Sequence, residues 1–228
     1  MRVISLVPSI TETLLAWGVD VVACTRFCEQ PQLRHVGGTK DPDVDAIVAL
    51  APDIVVMDRE ENRLPDAEAL AERGVALHVT HVTTLADVAP MLEELAAAVG
   101  VAAQPIAIPA VRPPWATAAV LIWRRPWMAL GRDTYGSTVL AHLGITNVLG
   151  GGDRYPTVEL HDLAGADLVL LPTEPYPFKE RHVGEIATAL PGAEVRIIDG
   201  ADLLWWGVRT PAALERLGAA VRSARGRR

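Results

Sequence analysis

The residues of this chain best suited to chemistry are two glutamates, a loop cysteine and a set of indole and phenol rings, and each follows an apolar run. In Leu171-Pro-Thr-Glu-Pro-Tyr-Pro-Phe178 a carboxylate, Glu174, stands among three prolines and two rings. Proline fixes its own φ and closes the α region to the residue before it, which predicts a stiff, largely extended lip over residues 173–178. Glu60 opens Glu60-Glu-Asn-Arg63, two residues beyond the apolar Ile54–Met57. That stretch also reads as a solvated charge run, and its place at a strand end is what singles it out. Two carboxylates facing each other could serve as acid and base in hydrolysis. No serine nucleophile elbow, paired acid–base motif or dinucleotide fingerprint accompanies them, so no catalytic residue is assigned.

The remaining reactive types say less about metals than about flat ligands. Cys24 reads as strand packing, and Cys28, in the next loop, as a polar contact for a ligand. His78 and His81 lie three apart on or after a strand, where a period of two sends them to opposite faces, a poor chelate. No metal site is assigned. Gly150-Gly-Gly152 lacks the Lys-Ser/Thr of a phosphate loop and reads as a turn. Four of the six tryptophans, in Trp123–Trp127 and Trp205-Trp206, sit on or beside strand ends, with Tyr135, Tyr155 and Tyr176. Core packing or a cover over a sheet end is the ordinary use of such rings. The adjacent Trp205 and Trp206 point in different directions, which suits one core poorly.

The elements that must position these residues alternate between β and α types. Val3–Val7, Val21–Thr25, Ile54–Met57 and Val75–Thr80 are predicted strands, with helices 9–17, 44–50, 66–73 and 85–99 between or after them. Ser9-Ile-Thr-Glu12 has the pattern of a capping box. Residues 101–116 carry four prolines and no clean period and read as a linker. Strands 118–123, 146–149, 168–171 and 195–198 then alternate with helices 134–143, 157–163, 180–190 and 211–221. Two phrases repeat in order: Leu14–Val22 resembles Leu140–Val148, and Leu50–Glu60 resembles Leu163–Glu174, which sets Glu60 opposite Glu174. The expectation is an α/β chain of two Rossmann-like three-layer lobes with mainly parallel sheets, 1–100 and 117–228, joined by the single linker 101–116. Ligands of parallel sheets bind beyond the carboxyl ends of the strands, so the ring-bearing loops would line a cleft between the lobes.

Composition narrows the partners. The chain has 228 residues and a formal net charge of −7, so no basic footprint argues for nucleic acid. The basic residues of 222–228 read as a solvated tail. No apolar run reaches the ~18 residues that span a bilayer. The chain opens as a strand with no signal-peptide pattern, and its two cysteines make no disulfide framework. A cytoplasmic protein is expected, or a periplasmic or extracellular one if an export signal was removed.

Phrase by phrase, the chain resembles a family. The opening strand with "PSITETLLAWG", then "VGGTKDPDVDAIVALAPDIVV" and "DLVLLPTEPYPF", look like the cobalamin- and iron-chelate-binding proteins of ABC importers, the periplasmic-binding class with two α/β lobes and a helical backbone. "REENR", "IWRRPWMALGRDTYGS", "EPYPF" and "DGADLLWWGVR" resemble an unexported branch of it, the helical-backbone metal receptors. The resemblance implies a non-enzymatic receptor whose rigid, shallow cleft grips a corrinoid or other bulky metal chelate, such as an iron chelate, with no intrinsic cofactor. It implies apolar walls from Trp123, Trp127, Tyr135, Tyr176, Trp205 and Trp206, and polar contacts from Cys28, Glu60, Arg63 and Glu174. In exported relatives one surface carboxylate per lobe docks on permease arginines, and Glu60 and Glu174 are the candidates here. Residues 101–116 depart from the family, being too short and proline-rich for its long backbone helix. An enzyme or chaperone of tetrapyrrole or metal-chelate metabolism is the alternative that would use the same cleft.

Overall fold

A computed structural model describes residues 1–222, so most of the basic tail expected at 222–228 lies outside the described residues. The chain divides into two compact units. The first comprises residues 1–82, 86–106 and 206–209; the second comprises 83–85, 107–205 and 210 onward. Residues 101–115, of which 101–106 belong to the first unit and the rest to the second, form neither helix nor strand.

In the first unit, strands β1 (Arg2–Ser5), β2 (Asp20–Cys24), β3 (Arg34–His35), β4 (Ile54–Asp58) and β5 (Leu77–Thr80) make one sheet in the order β3-β2-β1-β4-β5. Every pairing is parallel, as β–α alternation requires. Helices α1 (Pro8–Ala16), α2 (Val44–Ala49), α3 (Leu64–Glu72) and α4 (Val88–Ala98) supply the crossovers. Ile4 and Leu6, with Val55 and Met57 of β4, share a core with Ile47 of α2 and Leu70 of α3. Side chains alternate along a strand, so Val3 and Val56 face the other way. There α1 packs on β1 and β2, and α4 on β5. The expected capping box does not form. Pro8, whose missing N–H costs nothing in a first turn, takes the start of α1, and Ser9 lies inside the helix. Glu12 instead lies 3.5 Å from Arg209.

The second unit repeats the plan. Strands β6 (Ala116–Trp123), β8 (Ile145–Asn147), β9 (Leu168–Pro172) and β10 (Glu194–Ile198) pair in parallel. The short β7 (Met128–Ala129) pairs antiparallel with β6. Helices α5 (Tyr135–His142), α6 (Glu180–Ala189), α7 (Gly200–Leu204) and α8 (Thr210–Ala220) complete it. Ala119, Leu121, Val169 and Leu171 pack with Phe178 and with Ile186 of α6. The order β8-β6-β9-β10 matches β2-β1-β4-β5 strand for strand, so the repeat seen in the letters is a repeat of topology. Gly18 and Gly144, at matching positions of the first repeated phrase, both take positive φ (72° and 76°) where α1 and α5 end.

Two expectations fail locally, and one helix was not foreseen. The helix expected at 157–163 shrinks to a 3-10 turn at Leu160–Leu163, because Ala129 and Val158 exchange backbone bonds with Pro156 and Trp127 and draw the preceding segment alongside β7. Helix α7 was not legible, having only five residues and a cap from Asp199, whose carboxylate accepts from the Ala201 and Asp202 amides. The 173–178 lip bends through residues 173–176 rather than running extended, and its Glu174–Pro175 peptide is cis.

Candidate functional site

Both sheets end their carboxyl sides in loops held by the same ladder bond. In the first unit the Arg59 N–H donates to the Thr80 carbonyl at 2.9 Å; in the second the Thr173 N–H donates to the Ile198 carbonyl at 3.0 Å. Glu60 and Glu174 each follow one residue later, so the sequence repeat sets the two carboxylates at equivalent places.

The first rim is polar. Asp58 Oδ1 accepts from the Glu60 amide at 2.8 Å, and Asp58 Oδ2 accepts from the Thr80 hydroxyl at 2.7 Å. Burial raises the Asp58 carboxyl above the usual carboxylate range, while these hydrogen bonds pull the other way. Asn62 Oδ1 accepts from the Asp58 amide at 2.8 Å, and its Nδ2 donates to the Leu6 and Thr39 carbonyls at 3.2 and 2.9 Å. Lys40 Nζ donates to the Glu60 carbonyl at 2.6 Å, and His81 Nε2 lies 3.9 Å from the Glu60 carboxylate. Arg63 forms a two-pronged pair with Asp66 at 2.8 Å across the first turn of α3. Cys28 is buried, its sulfur 3.2 Å from the Thr11 hydroxyl and 3.1 Å from that of Thr25. Trp206 is buried in this unit, whereas its neighbour Trp205 is partly exposed in the other.

The second rim is aromatic. Trp123, at the end of β6 and 44% exposed, meets Tyr176 edge to face with centroids 5.5 Å apart. Tyr176 lies 4.7 Å from Phe178, and Phe178 stacks nearly parallel to Trp127 at 6.4 Å. These are spacings at which ring pairs attract beyond simple burial. His182 from α6 closes the cluster edge-on, 5.6 Å from Tyr176 and 5.5 Å from Phe178. Its Nδ1 accepts from the Lys179 amide at 2.9 Å. Burial, and then the Arg181 and Arg124 charges, hold this imidazole below its ordinary range. Arg124 lies over the Trp127 ring at 5.4 Å and grips both oxygens of Glu185 at 2.8 and 2.9 Å. Glu174 is pressed against Gly200, where a β-carbon would lie 2.5 Å from its Cγ and 2.7 Å from its amide nitrogen. The Gly200 amide donates to Thr173 Oγ1 at 2.9 Å, which ties the lip to α7.

Of the residues singled out in the sequence, Trp123, Trp127 and Tyr176 gather in this one cluster. Tyr135 starts α5, is 8% exposed, and places its hydroxyl 3.3 Å from that of Thr210. Sequence reasoning passed over Phe178, His182, Arg124 and Asn62. Phe178 was readable in the quoted lip; His182 required knowing that α6 begins only four residues after the Tyr176 ring. Among the described residues, His, Cys, Asp and Glu nowhere form a group of three or more able to hold a metal ion. No helix among them is long and apolar enough to cross a membrane.

Residues 3–105 match the family model described as periplasmic binding protein. Over 101 residues the chain is 33% identical to the vitamin B12-binding protein of Yersinia pestis (strain Pestoides F), a match covering 42% of this chain and 36% of that protein. The chain thus matches only about a third of that relative's length. Two solved structures are similar across nearly the whole chain. The periplasmic vitamin B12-binding protein of Vibrio cholerae gives a TM-score of 0.76 at 18% identity, covering 98% of this chain and 97% of that one. A periplasmic heme-binding protein from Pseudomonas aeruginosa gives 0.79 at 20% identity, covering 98% and 93%. At such identities the likeness is one of fold: two α/β units with mainly parallel sheets.

Proposed function

We propose that this chain, which carries the periplasmic-binding-protein fold, is a non-enzymatic substrate-binding protein of the ABC-importer type, and that it takes a corrinoid or another bulky metal chelate. One observation carries the reading: the ring cluster at the carboxyl ends of β6 and β9, with Trp123 nearly half exposed at its edge. A flat macrocycle offers the wide apolar face that an exposed indole and a neighbouring phenol cover well. The vitamin B12- and heme-binding names of similar proteins agree with that ligand class. Trp123, Tyr176 and Trp205 supply walls, and Trp127 braces Tyr176 through Phe178. Glu60 and Glu174, at equivalent places in the repeat, are the carboxylates offered to permease arginines.

Cobalamin, its corrinoid precursors and haem, each titrated while tryptophan fluorescence and calorimetric heat are followed, test the proposal. At least one is expected to bind, and Trp123→Ala is expected to weaken it about tenfold to a hundredfold, on the order of 1.4–2.8 kcal/mol. Because Trp123 is so exposed, the variant should melt close to the parent. Absence of binding by any of the three at ~100 μM would sink the reading.

A further inference from the structure

The lip after β9 delivers its two rings as a pair. The Phe178 amide donates to the Tyr176 carbonyl at 2.8 Å across Pro177, a three-residue turn that fixes one ring against the other. Trp123, the exposed ring, meets this pair through Tyr176. His182 meets both members edge-on and, at 2% exposure, is itself out of a guest's reach. The same imidazole secures the start of α6. Lys179 stands just before the first turn and His182 is the third residue within it. Nδ1 reaches back to the Lys179 amide, while the His182 amide donates to the Lys179 carbonyl at 2.8 Å. Glutamate or glutamine ordinarily makes that reach, without a ring. A histidine here joins a helix cap to a ring cluster. The junction depends on one lone pair, since a neutral imidazole has one in its plane and an imidazolium has none. Arg181 Nε lies 3.2 Å from Nε2, and the Arg124 and Lys179 charges also act on the ring. The carboxylate among these charged neighbours, Glu185, gives both oxygens to Arg124. A second proton on His182 would break the cap and add a fourth cation to Arg124, Lys179 and Arg181.

We propose that His182 is the positioning residue of the binding wall: capping α6 with Nδ1 and bracing Tyr176 and Phe178 with its ring, it sets how Tyr176 meets Trp123. This role rests on the reading that those rings cover a flat guest, and it supplies the residue that aims them. Protonating His182 removes the acceptor from the Lys179 amide and slackens the brace. Burial, and then the Arg181 and Arg124 charges, hold the ring below the ordinary value of about 6.5. The support given by the neutral ring is therefore full above about 6.5 and is lost as pH falls through the lowered value. The grip on a guest should weaken on the acid side.

Two measurements on the full chain test this, the first without any guest. Near-ultraviolet circular dichroism of the free parent should weaken between about pH 7.5 and 5, as the rings lose their fixed arrangement. In His182→Gln, whose amide oxygen can still accept from Lys179, the signal should start lower and stay flat. That difference separates this imidazole from every other titrating group. Cyanocobalamin and haem are then titrated at both pH values. Whichever binds should bind the parent about tenfold more weakly at the acid value, and His182→Gln about tenfold more weakly at both. With Trp123→Ala already in place, His182→Gln should weaken binding by less than about threefold, because the wall it aims is gone. His182→Phe, a ring with no proton to gain, should recover part of the affinity and show no acid loss. Additive losses, or a Phe variant weaker than the Gln one, would reduce His182 to holding the fold and overturn the proposal. So would a parent spectrum that ignores pH, a result that needs no substitution to obtain. If neither compound binds the parent, the reading as a chelate receptor falls, while the spectra still decide whether His182 holds the rings.

Discussion

The two rims occupy the same place on the same topology and are held by different physics. At the end of β4 stands Asp58, whose carboxylate gathers two loop amides and a hydroxyl; at the matching end of β9 stands Pro172, which has no amide to give. The first rim is therefore pinned by directional bonds from Asp58, Asn62 and Lys40 to neighbouring backbone. The second is pinned by ring packing, with Arg124 and His182 at its border. The repeated topology fixes where loops emerge, and the few residues after each strand decide what those loops can do. A polar rim presents a carboxylate from a stiff hydrogen-bonded turn. A ring rim can cover a flat guest.

The largest effect that separates the two rims should come from Phe178. It is 4% exposed and joins the core of the second unit to the Tyr176 and Trp127 rings. Phe178→Ala removes a ring that nothing nearby can replace, and a loss of about 3–5 kcal/mol in unfolding free energy is expected. Urea titration checks it. A loss below about 1 kcal/mol would mean that the rings collapse onto one another and that the second rim is softer than its geometry implies.

Asn62 is the counterpart in the first rim, and the effect should be smaller. Its amide satisfies one buried N–H and two carbonyls, with 8% of the residue exposed. Asn62→Ala leaves those groups to water that enters only partly, for an expected cost of about 1–3 kcal/mol. If it equals the loss in Phe178→Ala, the contrast between a bonded rim and a packed one fails.

The contrast was only half legible in the sequence. The parallel sheets, the repeat and the equivalence of Glu60 with Glu174 could be read, because apolar periodicity and the helix-ending Gly18 and Gly144 are local signals. The ring cluster was partly readable: Trp123, Trp127 and Tyr176 stood out by type, whereas His182 joins them through the start of α6, a tertiary fact. Asn62 was hidden in a run that looks like solvated charge. Its partners, Leu6 and Thr39, are distant in sequence and offer only backbone carbonyls, which carry no letter of their own. The failed capping box has a similar lesson, since Pro8 competes for the helix start one residue before Ser9 and wins.

The smallest effect concerns pH, and it isolates the one carboxylate that the second rim lacks. Asp58 holds its proton longer in the fold than in the unfolded chain, because burial disfavours its charge more than Thr80 and the loop amides favour it. An exposed aspartate loses its proton near about 3.9. Between that value and the raised one the folded chain binds more protons, so the contribution of Asp58 is full below the unfolded value and is lost as pH rises through the folded one. Asp58→Asn keeps an oxygen for the Glu60 amide. It also turns a donor toward Thr80 Oγ1, whose own proton can still serve the Met57 carbonyl at 3.1 Å. The variant should therefore lose part of the fall in stability with rising pH, by less than the cost of Asn62→Ala, while remaining folded at neutral pH. Urea midpoints collected from about pH 3 to 7 for parent and variant measure this. Parallel pH curves would assign the slope elsewhere and leave Asp58 as a plain turn-former, no more electrostatic in its role than Pro172.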